Sequence, residues 1–172
     1  KVISASFNDE TLELDSELTK DGSIKLYTWD DNEGKQAFWH SSAHILAQTI
    51  KFFYPESKLT IGPSIENGFY YDVDFGEESI SEKDFQKIES KFLEFSRNDF
   101  KFSMRNVSKD EALEFYKKEK NEYKVELIEA LDDGTITFCD HSDFSDLCKG
   151  GHIPSTGIVK AVKLLNIAGA YW

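Results

Sequence analysis

The chain has 172 residues, 40% of them hydrophobic, with 14 Phe, 7 Tyr and 3 Trp. That is enough apolar material for one ordinary domain core and an appendage. A net charge of −12, with Arg97 and Arg105 as the only arginines, argues against a self-sufficient nucleic-acid binder, because phosphate neutralisation supplies most non-specific affinity. It leaves room for a domain that receives only the end of a nucleic acid. There is no apolar run of the ~18 residues that a membrane span needs and no leader with a charged start and an apolar middle. Cys139 and Cys148 are too few for a disulfide framework, so the expected location is the reducing cytoplasm.

In chain order, residues 2–7 and 24–29 read as strands. Asn8-Asp9-Glu10 and Asp21-Gly22-Ser23 supply turns. Two or three strands bury too little to stand alone, so residues 1–30 are either the remnant of a small domain or strands docked on the next one. Asp30-Asp31-Asn32 offers caps for a long helix over residues 33–54, which Pro55 stops. At about 100° per residue its apolar arc includes Phe38, Ala43, Leu46, Ile50 and Phe53. His40 and His44 fall together on the other side.

Residues 59–63 and 69–75 read as strands around a Glu66-Asn67-Gly68 turn. A capping box at Ser81-x-x-Asp84 opens a second helix, whose Phe85, Ile88, Phe92 and Phe95 form a packing stripe. Residues 101–107 read as a strand. Ser108-x-x-Glu111 opens a third helix to about Lys118. Residues 123–127, 135–139 and 158–167 read as strands, and residues 143–156 as a loop. Helices and antiparallel strands mix without βαβ regularity, so the fold class is α+β, with a mixed or antiparallel sheet and a long helix.

The chemistry is concentrated in two pairs at i, i+4 spacing. His40 and His44 form H-x-x-x-H; Cys148 and His152 form C-x-x-x-H. They hold three of the four histidines in the chain and one of its two cysteines. Rings one helical turn apart converge on a point. Ser41 and Ser42 stand where a zinc protease of the H-E-x-x-H type needs its glutamate, which argues against that activity. Four N and S donors suit a tetrahedral zinc. They equally suit a metal-free pocket in which imidazoles orient a hydrolytic water. Spacing leaves both open. By composition alone, Cys139 and His141 read as a strand-end cysteine and a surface histidine. Lys124, in a Tyr-Lys-Val context, reads as a solvated lysine.

Five segments together are more specific: His40-Ser41-Ser42-Ala43-His44, Ile61-Gly62-Pro63, Asn67-Gly68-Phe69-Tyr70-Tyr71-Asp72, Asp146-Leu147-Cys148-Lys149-Gly150-Gly151-His152 and Ala168-Gly169-Ala170-Tyr171-Trp172. In this order they resemble the editing domain of bacterial threonyl-tRNA synthetases. The two pairs also occur in alanyl-tRNA synthetase editing domains and their free-standing relatives. The likeness covers nearly the whole chain. It implies that residues 1–30 are the back part of the small ubiquitin-like TGS domain. Residues 31–172 are then the editing domain, ending at the junction to an aminoacylation domain. One departure is Gly151, where the family often has proline, which should loosen that turn.

The resemblance implies hydrolysis of mischarged seryl-tRNA(Thr). Serine lacks one methyl of threonine, a difference worth only ~1–3 kcal/mol, so a second site must remove it. By resemblance, His40 and His44 hold the terminal adenosine and the attacking water, and Lys124 polarises the water or ester. Asp146 anchors the serine amino group. Cys148 and His152 complete the pocket, and Tyr71 and Gly62 line it. No metal is required for editing, although zinc on His40, His44, Cys148 and His152 is possible. ATP and zinc belong to the aminoacylation domain. The implied partners are the acceptor end of tRNA(Thr), the remaining synthetase domains and a second subunit, with no membrane. The alternatives are a structural zinc module and a passive acceptor-end binder.

Overall fold

A computed structural model describes residues 1–172. Near the N-terminus β1 (Ser4–Phe7), β2 (Glu10–Leu12) and β3 (Ile24–Tyr27) form an antiparallel sheet in the order β2-β1-β3. The sheet is not free-standing: Ile3, just ahead of β1, is buried in the main core. Gly34 makes the close approach possible, because a Cβ there would overlap the carbonyl of Thr28.

The long helix α1 spans Asn32–Phe53 and ends before Pro55, as the sequence predicts. Its N-cap Asp31 does not cap with its side chain. The carboxylate turns back to accept from the N–H of Thr28 at 2.7 Å, fastening the strand exit to the helix start. Every residue from Ser41 to Ile50 is buried. His44, at 3% exposure, is therefore interior, and the expectation that both histidines lie off the buried face holds only for the half-buried His40. Other elements pack on more than one side of α1.

The predicted strand pair after α1 breaks into two short antiparallel ladders. β4 (Lys58–Leu59) pairs with β7 (Val73–Asp74), and β5 (Ser64–Ile65) pairs with β6 (Gly68–Phe69). Pro63 lacks the N–H that a continuous ladder needs. The Ser81/Asp84 capping box forms as expected and leads through a 3₁₀ turn into α2 (Phe85–Arg97). Ile88 and Phe92 of its stripe are fully buried.

β8 (Ser103–Asn106), β9 (Thr137–His141) and β10 (Phe144–Leu147) form the second antiparallel sheet, in the order β10-β9-β8. β10 lies in the segment read as loop. Its Phe-Ser-Asp-Leu sequence becomes a strand because β9 supplies a partner across the tight Ser142–Asp143 turn. Between β8 and β9 come α3 (Lys109–Lys118), capped by Ser108 on the Glu111 N–H at 3.2 Å, and α4 (Glu122–Glu129). α4 replaces the strand read over residues 123–127. Asn121 caps it by accepting from the Lys124 N–H at 3.1 Å. Asn121, Lys124 and Ile128 are its buried face, a spacing of three and four that outweighs the strand-like run Tyr-Lys-Val-Glu-Leu.

The strand read over residues 158–167 is also absent. A 3₁₀ turn at Thr156–Ile158 leads into chain without ladder partners. Val162 and Leu164 still turn inward against the core, but the Leu164 N–H is taken by the Glu89 carboxylate at 2.7 Å, not by a strand. Alternation along β9 and β10 sends Cys139 and Phe144 to the main core, while Phe138 and Leu147 join a second cluster with α3 and α4. Asp146 lies opposite Cys139 in the ladder. The fold is α+β: small antiparallel sheets around one long helix that carries H-x-x-x-H.

Candidate functional site

α1 delivers His40 and His44 on successive turns, with their rings 4.7 Å apart. The chain leaving β10 delivers Cys148, and the turn through Gly150 and Gly151 returns His152 to the same point. Both glycines sit at positive φ, 102° and 92°, a conformation that side chains resist. The donor atoms of His40, His44, Cys148 and His152 all lie within 4.8 Å of one another. Cys148 Sγ is the hub, 3.1 Å from His40 Nε2 and 3.3 Å from His152 Nε2. His40 alone of the four is half-buried, so solvent and ligands reach the group from its side.

Packing holds the rings. His152 lies between Phe102, at 5.4 Å and nearly parallel, and His40, at 5.0 Å. Ser41 Oγ accepts from the Ile153 N–H at 3.0 Å and ties α1 to the segment after the turn. His44 has neither ring nitrogen in an aligned hydrogen bond. Its Nδ1 lies 3.3 Å from Asp146 Oδ2, a charge contact with poor alignment. A buried imidazole without an aligned partner is the group in this site with capacity left for a ligand.

Behind the four donors sits a second group centred on Asp146. Its Oδ1 accepts from Lys124 Nζ at 2.7 Å and its Oδ2 from the Tyr71 hydroxyl at 2.6 Å. The Tyr116 hydroxyl reaches Oδ1 at 3.4 Å. Lys124 and Asp146 are 2% and 3% exposed, which corrects the reading of Lys124 as a solvated lysine on a strand. It is a buried cation at the start of α4. Gly62 lies against Tyr71, since a Cβ there would overlap the ring. All eight residues singled out in the sequence thus fall in one region. Oδ1 takes two donors and Oδ2 one, so Oδ2 keeps an acceptor site for a further donor.

The electrostatics follow from this enclosure. Burial opposes charge on Cys148, but hydrogen bonds with His152 and His40 and the nearby His44 ring outweigh it and hold the thiol well below its usual range. Burial also opposes the His152 imidazolium, yet its bonds to Cys139, Cys148 and Glu13 push the ring up to about 12. His44 is raised in the same way, burial being overcome by Asp146 and Cys148. Asp146 stays below the carboxylate range, because the Lys124 charge and His44 outweigh its burial. Burial drives the Tyr71 and Tyr116 phenols up, with the Asp146 charge adding to it.

Cys139 and His141 are not a strand-end thiol and a surface ring. They are 0% and 2% exposed. Burial pushes the Cys139 thiol up to about 11 and His141 down to about 3. Cys139 lies 3.8 Å from His152 Nδ1, and His141 Nε2 bonds Gln48 Oε1 at 3.1 Å. Sequence reasoning also missed Tyr116 and Glu13. The carboxylate of Glu13 accepts from the Gly151 N–H and lies 3.3 Å from His152 Nδ1. The Gly151 turn is therefore tied down through an N–H that proline would lack, where a looser turn was expected. No spacing or motif marks either residue.

Three imidazole nitrogens and one thiol at this separation can hold a tetrahedral zinc, and a carboxylate behind a histidine is the usual support for such a ligand. The same donors can instead hold a water and a ligand hydroxyl. No helix is long and apolar enough to cross a membrane.

Residues 136–169 match the family described as the threonyl and alanyl tRNA synthetase second additional domain. Threonine–tRNA ligase of Flavobacterium psychrophilum is 62% identical over 99% of the chain, which covers 26% of that relative. The same enzyme from Cytophaga hutchinsonii is 47% identical over 99% of the chain. That from Caldanaerobacter subterraneus is 44% identical over the whole chain. The chain spans about a quarter of the length of the curated relatives it matches.

Proposed function

The chain is homologous along its whole length to a segment of the bacterial threonine–tRNA ligases, and from that premise we propose that it is their editing domain, a hydrolase that removes serine from mischarged seryl-tRNA(Thr). The observation that carries this reading is the convergence of His40, His44, Cys148 and His152 beside the buried Lys124–Asp146 pair. Residues 1–30 are the back part of a TGS-like domain and residues 31–172 the editing domain. Ligation of threonine with ATP and zinc, dimerisation and most tRNA affinity belong to the longer protein, whose setting is the cytoplasm.

The reaction is attack of water on the ester carbonyl that joins serine to the terminal adenosine. His40, at the open side, contacts the ribose. His44 orients the water through the ring nitrogens that have no aligned partner. Lys124 polarises the ester or water, and Asp146 takes the serine amino group on the acceptor site left on Oδ2. Cys148 and His152 fix the depth of the pocket. Threonyl ester is refused by contact of its extra methyl with the wall near Tyr71 and Gly62. The ester is already activated, so positioning and oxyanion stabilisation suffice for the rate.

A second reading has a specific observation behind it. The donor set and spacing suit zinc on His40, His44, Cys148 and His152, with Glu13 supporting His152. Bound by all four, zinc would have a filled tetrahedral shell and would supply a structural clamp. One experiment separates the readings: hydrolysis of seryl-tRNA(Thr) against threonyl-tRNA(Thr) by this chain, with and without chelator, alongside its metal content. Selective, chelator-insensitive loss of serine supports metal-free editing. Stoichiometric zinc with chelator-induced unfolding supports the metal module. Binding of the acceptor end without turnover supports a passive binder.

A further inference from the structure

Glu13 stands outside the motifs and outside the segment read as the editing domain, yet its carboxylate reaches the centre of the site. It follows β2, the edge strand of the N-terminal sheet, and is 139 positions from His152 in sequence. The Glu13 side chain is 17% exposed and that of His152 is 0% exposed. One oxygen, Oε1, collects three groups from a single turn: the Gly151 N–H, the His152 N–H at 3.4 Å and His152 Nδ1 at 3.3 Å. Consecutive N–H groups in a left-handed turn form a concavity for an anion, and here a carboxylate of the same chain fills it. The fit is close. A Cβ at Gly150 would come within 2.9 Å of Oε1, and one at Gly151 within 3.4 Å of the Thr11 methyl on β2.

We propose that Glu13 is a positioning residue for the hydrolytic site, holding the Nδ1–H of His152 and so fixing where the ring points. The inference rests on the editing reading for what His152 does, but its geometric part stands on these contacts alone. An ionised carboxylate only accepts, so His152 Nδ1 must donate to it. Nε2 is then the nitrogen presented to Cys148 Sγ at 3.3 Å and to the pocket. Stacking on Phe102 and His40 sets the plane of the ring. It leaves the ring free to rotate within that plane, and the Glu13 carboxylate on Nδ1, closer than the Cys139 sulfur at 3.8 Å, stops that rotation. The N-terminal sheet thereby becomes part of the working site, whatever domain it descends from.

The test compares this chain with Glu13→Ala and Glu13→Gln. The first readout is the His152 ring in a long-range ¹H–¹⁵N spectrum, and the second is the rate of seryl-tRNA(Thr) hydrolysis resolved into kcat and KM. The amide oxygen of glutamine still accepts, so E13Q should keep the Nδ1–H signal and stay within ~3-fold of the parent rate. E13A should lose the protected Nδ1–H signal and lower kcat by ~10–100-fold at nearly unchanged KM, the scale on which outer partners of an active histidine act. A folded E13A with an unchanged His152 signal overturns the proposal. So does an E13Q that falls as far as E13A, because the hydrogen bond would then not be the agent. If the parent chain hydrolyses nothing while E13A still moves the His152 signal, the editing reading has failed and the orienting contact stands.

Discussion

Lys124 Nζ donates to Asp146 Oδ1 at 2.7 Å with the two side chains 3% and 4% exposed. The first turn of α4 and the end of β10 are thus joined by a buried ion pair, and Tyr71 completes the carboxylate from a third element. Removing one partner of such a pair strands the other charge in the interior. Lys124→Met is expected to destabilise the chain by about 3–5 kcal/mol. Asp146→Asn on the K124M background should recover a large part of that loss. Urea unfolding of the single and double variants checks both statements, and a K124M chain as stable as the parent would contradict the pair.

Cys148 is the hub of the four donors, with His40 and His152 each on its sulfur. Cys148→Ala and His40→Ala should each lower seryl-tRNA(Thr) hydrolysis by at least ~10²-fold, the usual worth of a positioned acid–base or polar group. The far-ultraviolet dichroism should be unchanged, because His40 is half-buried and Ala replaces a small side chain at Cys148. A folded variant with the parent rate would remove that residue from the chemistry.

His141 is held neutral by burial, with His44 and His152 also opposing its protonation and Asp146 and Asp143 favouring it. Its folded pKa of about 3 lies below the ordinary value of 6.5. From pH 6.5 downward the unfolded chain takes up a proton at this ring that the folded chain refuses, so stability falls with pH across that window. The slope from this one group is at most ~1.4 kcal/mol per pH unit. His141→Gln removes it while keeping a donor for Gln48. Urea midpoints between pH 7 and pH 4 should fall less steeply in H141Q than in the parent; parallel curves would refute the assignment.

Gly62 leaves room for the Tyr71 ring, and that ring carries the hydroxyl on Asp146 at 2.6 Å. Gly62→Ala should push Tyr71 away from the carboxylate and cost about 1–3 kcal/mol as an overpacked contact. The predicted functional signature is a larger loss in hydrolysis of seryl ester than in thermal stability relative to Tyr71→Phe, which removes the bond but not the ring. Equal activity of G62A and the parent would separate Gly62 from the pocket.

Local rules were sufficient wherever a signal repeats within a few residues. Pro55 ends α1, Ser81 and Ser108 open the next helices, Ile88 and Phe92 face the core, and the i, i+4 spacing of His40 and His44 sets their rings side by side. The motif order also carried the relationship to threonine–tRNA ligases that the 62% identity bears out. Four features needed the folded chain. Lys124 sits on a helix, where an N-cap and a buried three-and-four spacing override strand-like residues. Phe144–Leu147 is a strand because β9 lies beside it. Cys139 and His141 are interior because α1 and Phe102 cover that face of the sheet. Glu13 meets His152 across 139 positions. Capping and periodicity are short-range and can be read along the chain. Strand pairing, burial of a polar group and the meeting of a carboxylate with a distant ring depend on which surfaces the packed core brings together, and no local pattern encodes that.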